Sequence, residues 1–222
     1  MPTYNTIMAV AGGVGLLLVV ALGRRLLRGE PLARLEGWAL AFGALGTVLT
    51  LTGLHMTLTW PLAKQGFTID NIIFGEPCLA FGVILLAAAL YLWKRGHLIT
   101  ESDDRIGLVA DTAGPISLFV AAMGLACFGI AAAGWTYTLF AAPPQEPISG
   151  LFADLPLLEA TFISGLYVLI GVGCVLFPFA LRSRGGTVAT VAGWCWGIAG
   201  VAFTLFGALN YFTHIGLIIN TM

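Results

Sequence analysis

Apolar residues run along this chain in long blocks, separated by short polar connectors. Six blocks, roughly 5–23, 37–61, 72–93, 108–134, 156–181 and 187–211, are apolar over the about 20 residues a helix needs to cross a hydrocarbon core of about 30 Å. Backbone amides inside lipid must bond within their own segment, so the pattern predicts an all-α, polytopic transmembrane bundle of six spans. No connector is long enough to fold as a soluble domain. Residues 1–222 are therefore expected to form a single transmembrane domain.

Composition agrees: 59% of the 222 residues are hydrophobic and 9% charged, far below the quarter or so of a soluble domain. Cation placement adds an orientation. Arg24, Arg25, Arg28 and Arg34 follow span one, Lys94, Arg95 and Arg105 follow span three, and Arg182 and Arg184 follow span five, so nine of ten Lys and Arg share one side and only Lys64 lies opposite. The positive-inside rule then places both termini outside, in a multi-pass protein of the cell membrane. The arginines follow the first apolar core instead of preceding it, so span one reads as a retained span and not a signal peptide.

With that orientation, polar residues within spans gather at one depth. His55 in "GLHMTLTWPL" lies five residues before the interface residue Trp60, with Met56 turned away if His55 faces inward. Glu76 in "NIIFGEP" follows Asp70 and Asn71 at the outer end of span three, and Glu159 in "DLPLLEATF" opens span five. Asn210 and His214 close span six in "LNYFTHIGL". Ionisable side chains in spans are costly and usually face a partner, cavity or cofactor, which makes this outer belt the candidate site.

Internal echoes suggest duplication. "GLHMTL" resembles "GWTYTL" at an offset of 81, and Glu76 and Gly82 map onto Glu159 and Gly165 at an offset of 83, so spans two and three would recur as spans four and five. Glu76 and Glu159 would then be pseudo-equivalent carboxylates. "TLTG" at Thr50 also echoes "TLFG" at Thr204, the start of a third copy.

Simpler readings stand beside these. Glu76 and Glu159, close to Pro77 and Pro156, could merely favour the positive ends of helix dipoles, His55 could bond a neighbouring carbonyl, and His214 could be solvated at headgroup level. Asp111 reads as a helix-start carboxylate and His97 as a loop residue. The cysteines Cys78, Cys127, Cys174 and Cys195 lack CxxC spacing and read as small packing residues. Walker A, GxGxxG, HExxH and GxSxG motifs are missing, and the few cations at membrane edges exclude nucleic acid as a partner.

The "GLHMTLTWPL" and "NIIFGEP" elements resemble a family of small multi-span bacterial and archaeal integral membrane proteins of unknown function. The resemblance implies the architecture and an importance for His55 and Glu76, and no activity. Three function classes remain. The favoured one is a transition-metal site (copper, iron, manganese or zinc) with His55, Glu76, Glu159 and His214 as ligands, serving redox or electron transfer. A haem between His55 and His214 is its less favoured variant. The second is a proton- or cation-coupled small carrier, and the third a non-catalytic subunit docked on other membrane subunits or on a second copy. The sequence neither assigns nor excludes an enzyme. The lipid bilayer is the one partner common to all three.

Overall fold

A computed structural model describes residues 5–32, 34–59 and 69–222. It contains six long helices: α1 (Asn5–Leu27), α2 (Glu36–Leu58), α3 (Glu76–Glu101), α4 (Arg105–Thr136), α5 (Pro156–Arg182) and α6 (Gly186–Thr221). A π-helical turn, Asn71–Gly75, leads into α3, and a short 3-10 turn, Ser149–Phe152, precedes α5. All six helices are long and apolar enough to cross a membrane, α3 together with its π-turn. Trp60 and Lys64, used above as an interface marker and as the one opposing cation, lie outside the described residues.

Apart from α2, which ends at Leu58 against an expected 61, the helices overrun the expected spans because backbone hydrogen bonding does not stop where the apolar block does. The largest difference is in α6, which continues to Thr221 and holds Asn210 and His214 inside the helix. At about 1.5 Å per residue, its 36 residues are longer than a hydrocarbon core is thick. The surplus is used: Asn220 donates to the Gln145 carbonyl (2.8 Å), and a Cβ added at Gly216 would fall 2.3 Å from Pro147. The end of α6 thereby holds the α4–α5 connector.

Neighbouring helices pack as three antiparallel pairs, α2 with α3, α4 with α5 and α6 with α1, closed into a ring by α5–α6, α1–α2 and a lighter α3–α4 contact. Buried residues on α2 fall at Ala39, Phe42, Gly46, Leu49, Gly53 and Met56, and those on α4 from Ser117 onward at Ser117, Val120, Gly124, Cys127, Ala131 and Gly134. Both follow the alternating three- and four-residue spacing of a coiled-coil seam. Glycines sit where the backbones cross. A Cβ would come within 2.9 Å of the Gly82 carbonyl if placed on Gly46, 2.8 Å of the Gly171 carbonyl on Gly124, and 2.9 Å of the Gly13 carbonyl on Gly200. Without an aqueous hydrophobic effect between spans, such close backbone approach is what makes the pairs cohere.

These contacts reveal three copies of one helix pair, the third split between the two ends of the chain. Gly46, Gly124 and Gly200 occupy the same place on the first helix of each pair, and Gly82, Gly171 and Gly13 on the second. The Thr50/Thr204 and Gly53/Gly207 echo is matched by contact: a Cβ on Gly82 would approach the Thr50 nitrogen at 2.5 Å, one on Gly13 the Thr204 nitrogen at 2.6 Å. The other echoes are out of register. Gly82 corresponds to Gly171 and not to Gly165, around which nothing lies within 4 Å of an added Cβ.

Candidate functional site

The helix ring encloses a cavity of about 310 Å³. Its lining comes from α1, α3, α4, α5, α6 and the connectors, with no residue from α2, which packs outside against α3 and α1. The contact register makes the lining repeat as well. Asn5, Phe74 and Ile163 are equivalent, as are Ala9, Cys78 and Tyr167, then Gly12, Phe81 and Ile170, and all nine line the cavity. Most of its wall is apolar.

One end differs. Asn5, Asp70, Glu146, Ser149, Glu159, Asn210 and His214 gather at the end of the bundle that carries the chain termini. The first turn of α5 positions Glu159, and its Oε2 accepts the Ala142 amide at 2.6 Å. His214 Nε2 lies 3.8 Å from Glu146 Oε1, an ion pair only when the imidazole is protonated. Asn210 is 9% exposed, and its Oδ1, like that of Asn5, is buried without a hydrogen-bond partner among the described residues. Burial pushes the Asp70 carboxyl up from 3.8 to about 6, because a charge there loses hydration.

Two features shape this end. The π-turn carries Asn71, whose Nδ2 donates to the Met56 carbonyl at 2.7 Å, and it offers the Ile73 carbonyl to the Tyr167 hydroxyl in a short hydrogen bond across the bundle. π-turns recur at functional sites because they leave carbonyls available. The α4–α5 connector, residues 137–155 with "PPQEPISG" at its centre, folds back into the ring: Phe140, Ala142, Pro143, Glu146 and Ser149 all line the cavity, and the Phe140 ring stacks on Tyr167 at 6.2 Å. Thr138, Phe140 and Ile148 hold positive φ (50°, 73° and 67°), a conformation non-glycine residues keep only when surrounding contacts impose it.

Of the four residues read as metal ligands, the structure brings Glu159 and His214 into this cavity and leaves His55 and Glu76 out of it. His55 is exposed on α2 and Glu76 in the first turn of α3. The expected rotation of α2 is reversed, since Met56 is fully buried. Packing explains the reversal: a Cβ on Gly53 would meet the Leu79 nitrogen at 2.5 Å and one on Gly75 the Met56 Cβ at 2.7 Å, so Gly53 and Met56 form the seam that α2 presents to α3. Contact register likewise pairs Glu159 with Asp70 and not with Glu76, as it pairs Gly171 with Gly82. Both Asp70 and Glu159 line the cavity. Among the described residues no group of three His, Cys, Asp or Glu is placed to hold a metal ion, and His55 is not among the residues lining the cavity that His214 lines.

Sequence reading passed over Glu146 and took the cysteines only as packing residues. An acid between Pro144 and Pro147 signals a rigid connector, the available clue for Glu146. Cys78, Cys127 and Cys174 line the same cavity, a convergence with no signal in their spacing.

Residues 1–216 match a family model described as a protein of unknown function, DUF981. No curated protein and no solved structure matches the chain. With 216 of 222 residues matched, the chain belongs to the DUF981 family, whose function is unknown.

Proposed function

We propose that this protein binds, and carries or senses, an amphipathic molecule with a cationic, hydrogen-bond-donating head and an apolar body. One observation carries the reading: among the described residues the polar end of the cavity holds three carboxylates and two unpartnered amide oxygens, and no Lys or Arg. A buried acceptor without a donor is destabilised by about 1–3 kcal/mol, and a ligand bringing donors and positive charge relieves it. The apolar remainder suits the body of such a ligand, and the volume falls at the small end of ligand pockets, about 300–1,000 Å³. The nine-to-one cation split supports a mouth facing outward, with both termini outside.

The test is binding of three fluorescent amphiphiles with one apolar body and an ammonium, neutral or sulfonate head to the purified chain. The ammonium compound should bind tightest. Glu159→Gln should weaken it about 10-fold, the scale of a lost charged hydrogen bond, and Glu76→Gln should leave it unchanged. Equal binding of all three heads rejects the reading. The metal reading keeps Glu159 and His214, which share the cavity with Glu146. Stoichiometric metal in the wild type, lost in both Glu159→Gln and His214→Ala, would replace the organic cation by a metal ion.

A further inference from the structure

A second concavity lies at the opposite, cation-bearing end of the bundle, between α1 and α6. It is an open groove of about 590 Å³ that shares no lining residue with the central cavity. Its walls are apolar, with Leu17 and Val20 from α1 facing Ile198 and Val201 from α6. An added Cβ at Gly197 would meet nothing within 4 Å, so the groove is open at that position. Above these walls stand Arg24, Arg25 and Arg28, with Glu30 as the one acidic lining residue. Glu30 lies 3.9 Å from Arg25 and 3.6 Å from Arg28. Three guanidinium groups against one carboxylate leave two positive charges in excess.

Two tryptophans hold the arginines at a fixed height. The Arg24 guanidinium lies 5.2 Å from the Trp194 ring centroid, and that of Arg25 lies 5.6 Å from Trp38. Cation–π contacts of this kind cost the guanidinium none of its hydrogen-bond donors in the ring plane, and tryptophan sits at the headgroup level of a bilayer. Leu17 lies seven residues, or about 10 Å of helix, below Arg24. The charged rim thus meets phosphate at headgroup depth while the apolar walls continue down into the acyl region. Free phosphate would use the rim and leave the walls without a purpose.

We infer that the α1–α6 groove is a binding site for an anionic phospholipid, its phosphate held by Arg24 and Arg28 and one acyl chain laid between Leu17 and Val201. The site is independent of the central cavity, sharing no lining residue with it. The basic connector after span one is thereby given a specific lipid contact in place of general attraction to a charged surface.

The experiment mixes the full chain, purified in neutral detergent, with phosphatidylglycerol, phosphatidylcholine or excess inorganic phosphate, and reads retained lipid by native mass spectrometry and Tm by thermal unfolding. Phosphatidylglycerol should be retained and raise Tm, and the other two should not. The double variant Arg24→Gln, Arg28→Gln should bind phosphatidylglycerol about 30-fold more weakly. Gly197→Leu, which fills open space and leaves every charge in place, should also lose retention. Equal retention of phosphatidylcholine overturns the site as anion-selective, and equal stabilisation by inorganic phosphate overturns its lipid character. Should the double variant not fold, a folded Gly197→Leu that keeps phosphatidylglycerol as the wild type does overturns the groove.

Discussion

Asp70 shows how burial and charge trade against each other at the polar end of the cavity. It is 7% exposed and precedes the π-turn, and its carboxyl titrates near 6 instead of 3.8 because ionisation there is opposed by lost hydration. The folded protein therefore holds this proton more tightly than the unfolded chain does. Its contribution to stability is greatest below about 3.8, declines as pH rises towards 6, and is a constant penalty above that. Asp70→Asn should remove the decline, and thermal unfolding between pH 4 and 7 checks it: a steeper wild-type loss across that interval than in the variant is the expected result. The same deprotonation adds negative charge to the cavity, so binding of an ammonium amphiphile should strengthen as pH rises through 6. Glu76, in the first turn of α3 and exposed, matches the simple reading of a carboxylate near a helix start.

At the scale of elements, glycines at the backbone crossings set how closely the helices approach, and large buried side chains such as Met8, Leu49, Met56 and Leu85 fill the seams between them. Gly171 and Gly165 lie on one helix and differ only in what surrounds them. A Cβ on Gly171 would sit 2.6 Å from the Phe128 ring and 2.9 Å from the Gly124 carbonyl, whereas one on Gly165 would meet nothing within 4 Å. Gly171→Ala must separate α4 from α5 or displace Phe128 and should be destabilising by about 1–3 kcal/mol. Gly165→Ala should be neutral or stabilising by up to about 1 kcal/mol, the helix preference of alanine over glycine. Tm values of the two variants in one detergent decide the matter. Equal losses would mean that the α4–α5 crossing is looser than described. The contrast also explains why the offset of 83 fails as a register: glycine recurs in α5 for two different reasons, and only contact distinguishes them.

At the scale of the whole molecule, three helix pairs close a ring, with the third pair assembled from the first and last helices. Such a ring leaves a central void because each pair spends its small residues on its own crossing, and the larger Phe74, Phe81, Tyr167 and Phe203 only partly fill what remains. Arg184 and Asp104, 2.7 Å apart, join the turn before α6 to the start of α4 at the cation-bearing end. Orientation belongs to this scale too. A single cysteine introduced at Gln145, in a background lacking the native four, should react with an impermeant maleimide on intact cells, and one introduced at Arg28 only after permeabilisation. The opposite pattern would invert the proposed mouth.

The apolar blocks alone determined that this is a six-helix polytopic bundle, because hydrocarbon demands both length and internal backbone bonding from every span. Counting residues along a known rise also gives each polar residue a position along its helix, and two of the expected belt, Glu159 and His214, line the cavity together. Facing was not legible in the same way. Every side of these helices is apolar, so no polar stripe marks the outward face, and the rotation of α2 is decided by Gly53 and Met56 packing on α3. That contact turns His55 out. Which carboxylates share a site is decided likewise by the register of two crossings far apart in sequence, which selects Asp70 and Glu159. Glu146 enters the cavity only because a connector folds back and the last turns of α6 hold it there. Depth is a one-dimensional property that the sequence carries, while facing and register arise from contacts between spans and exist only in the assembled bundle.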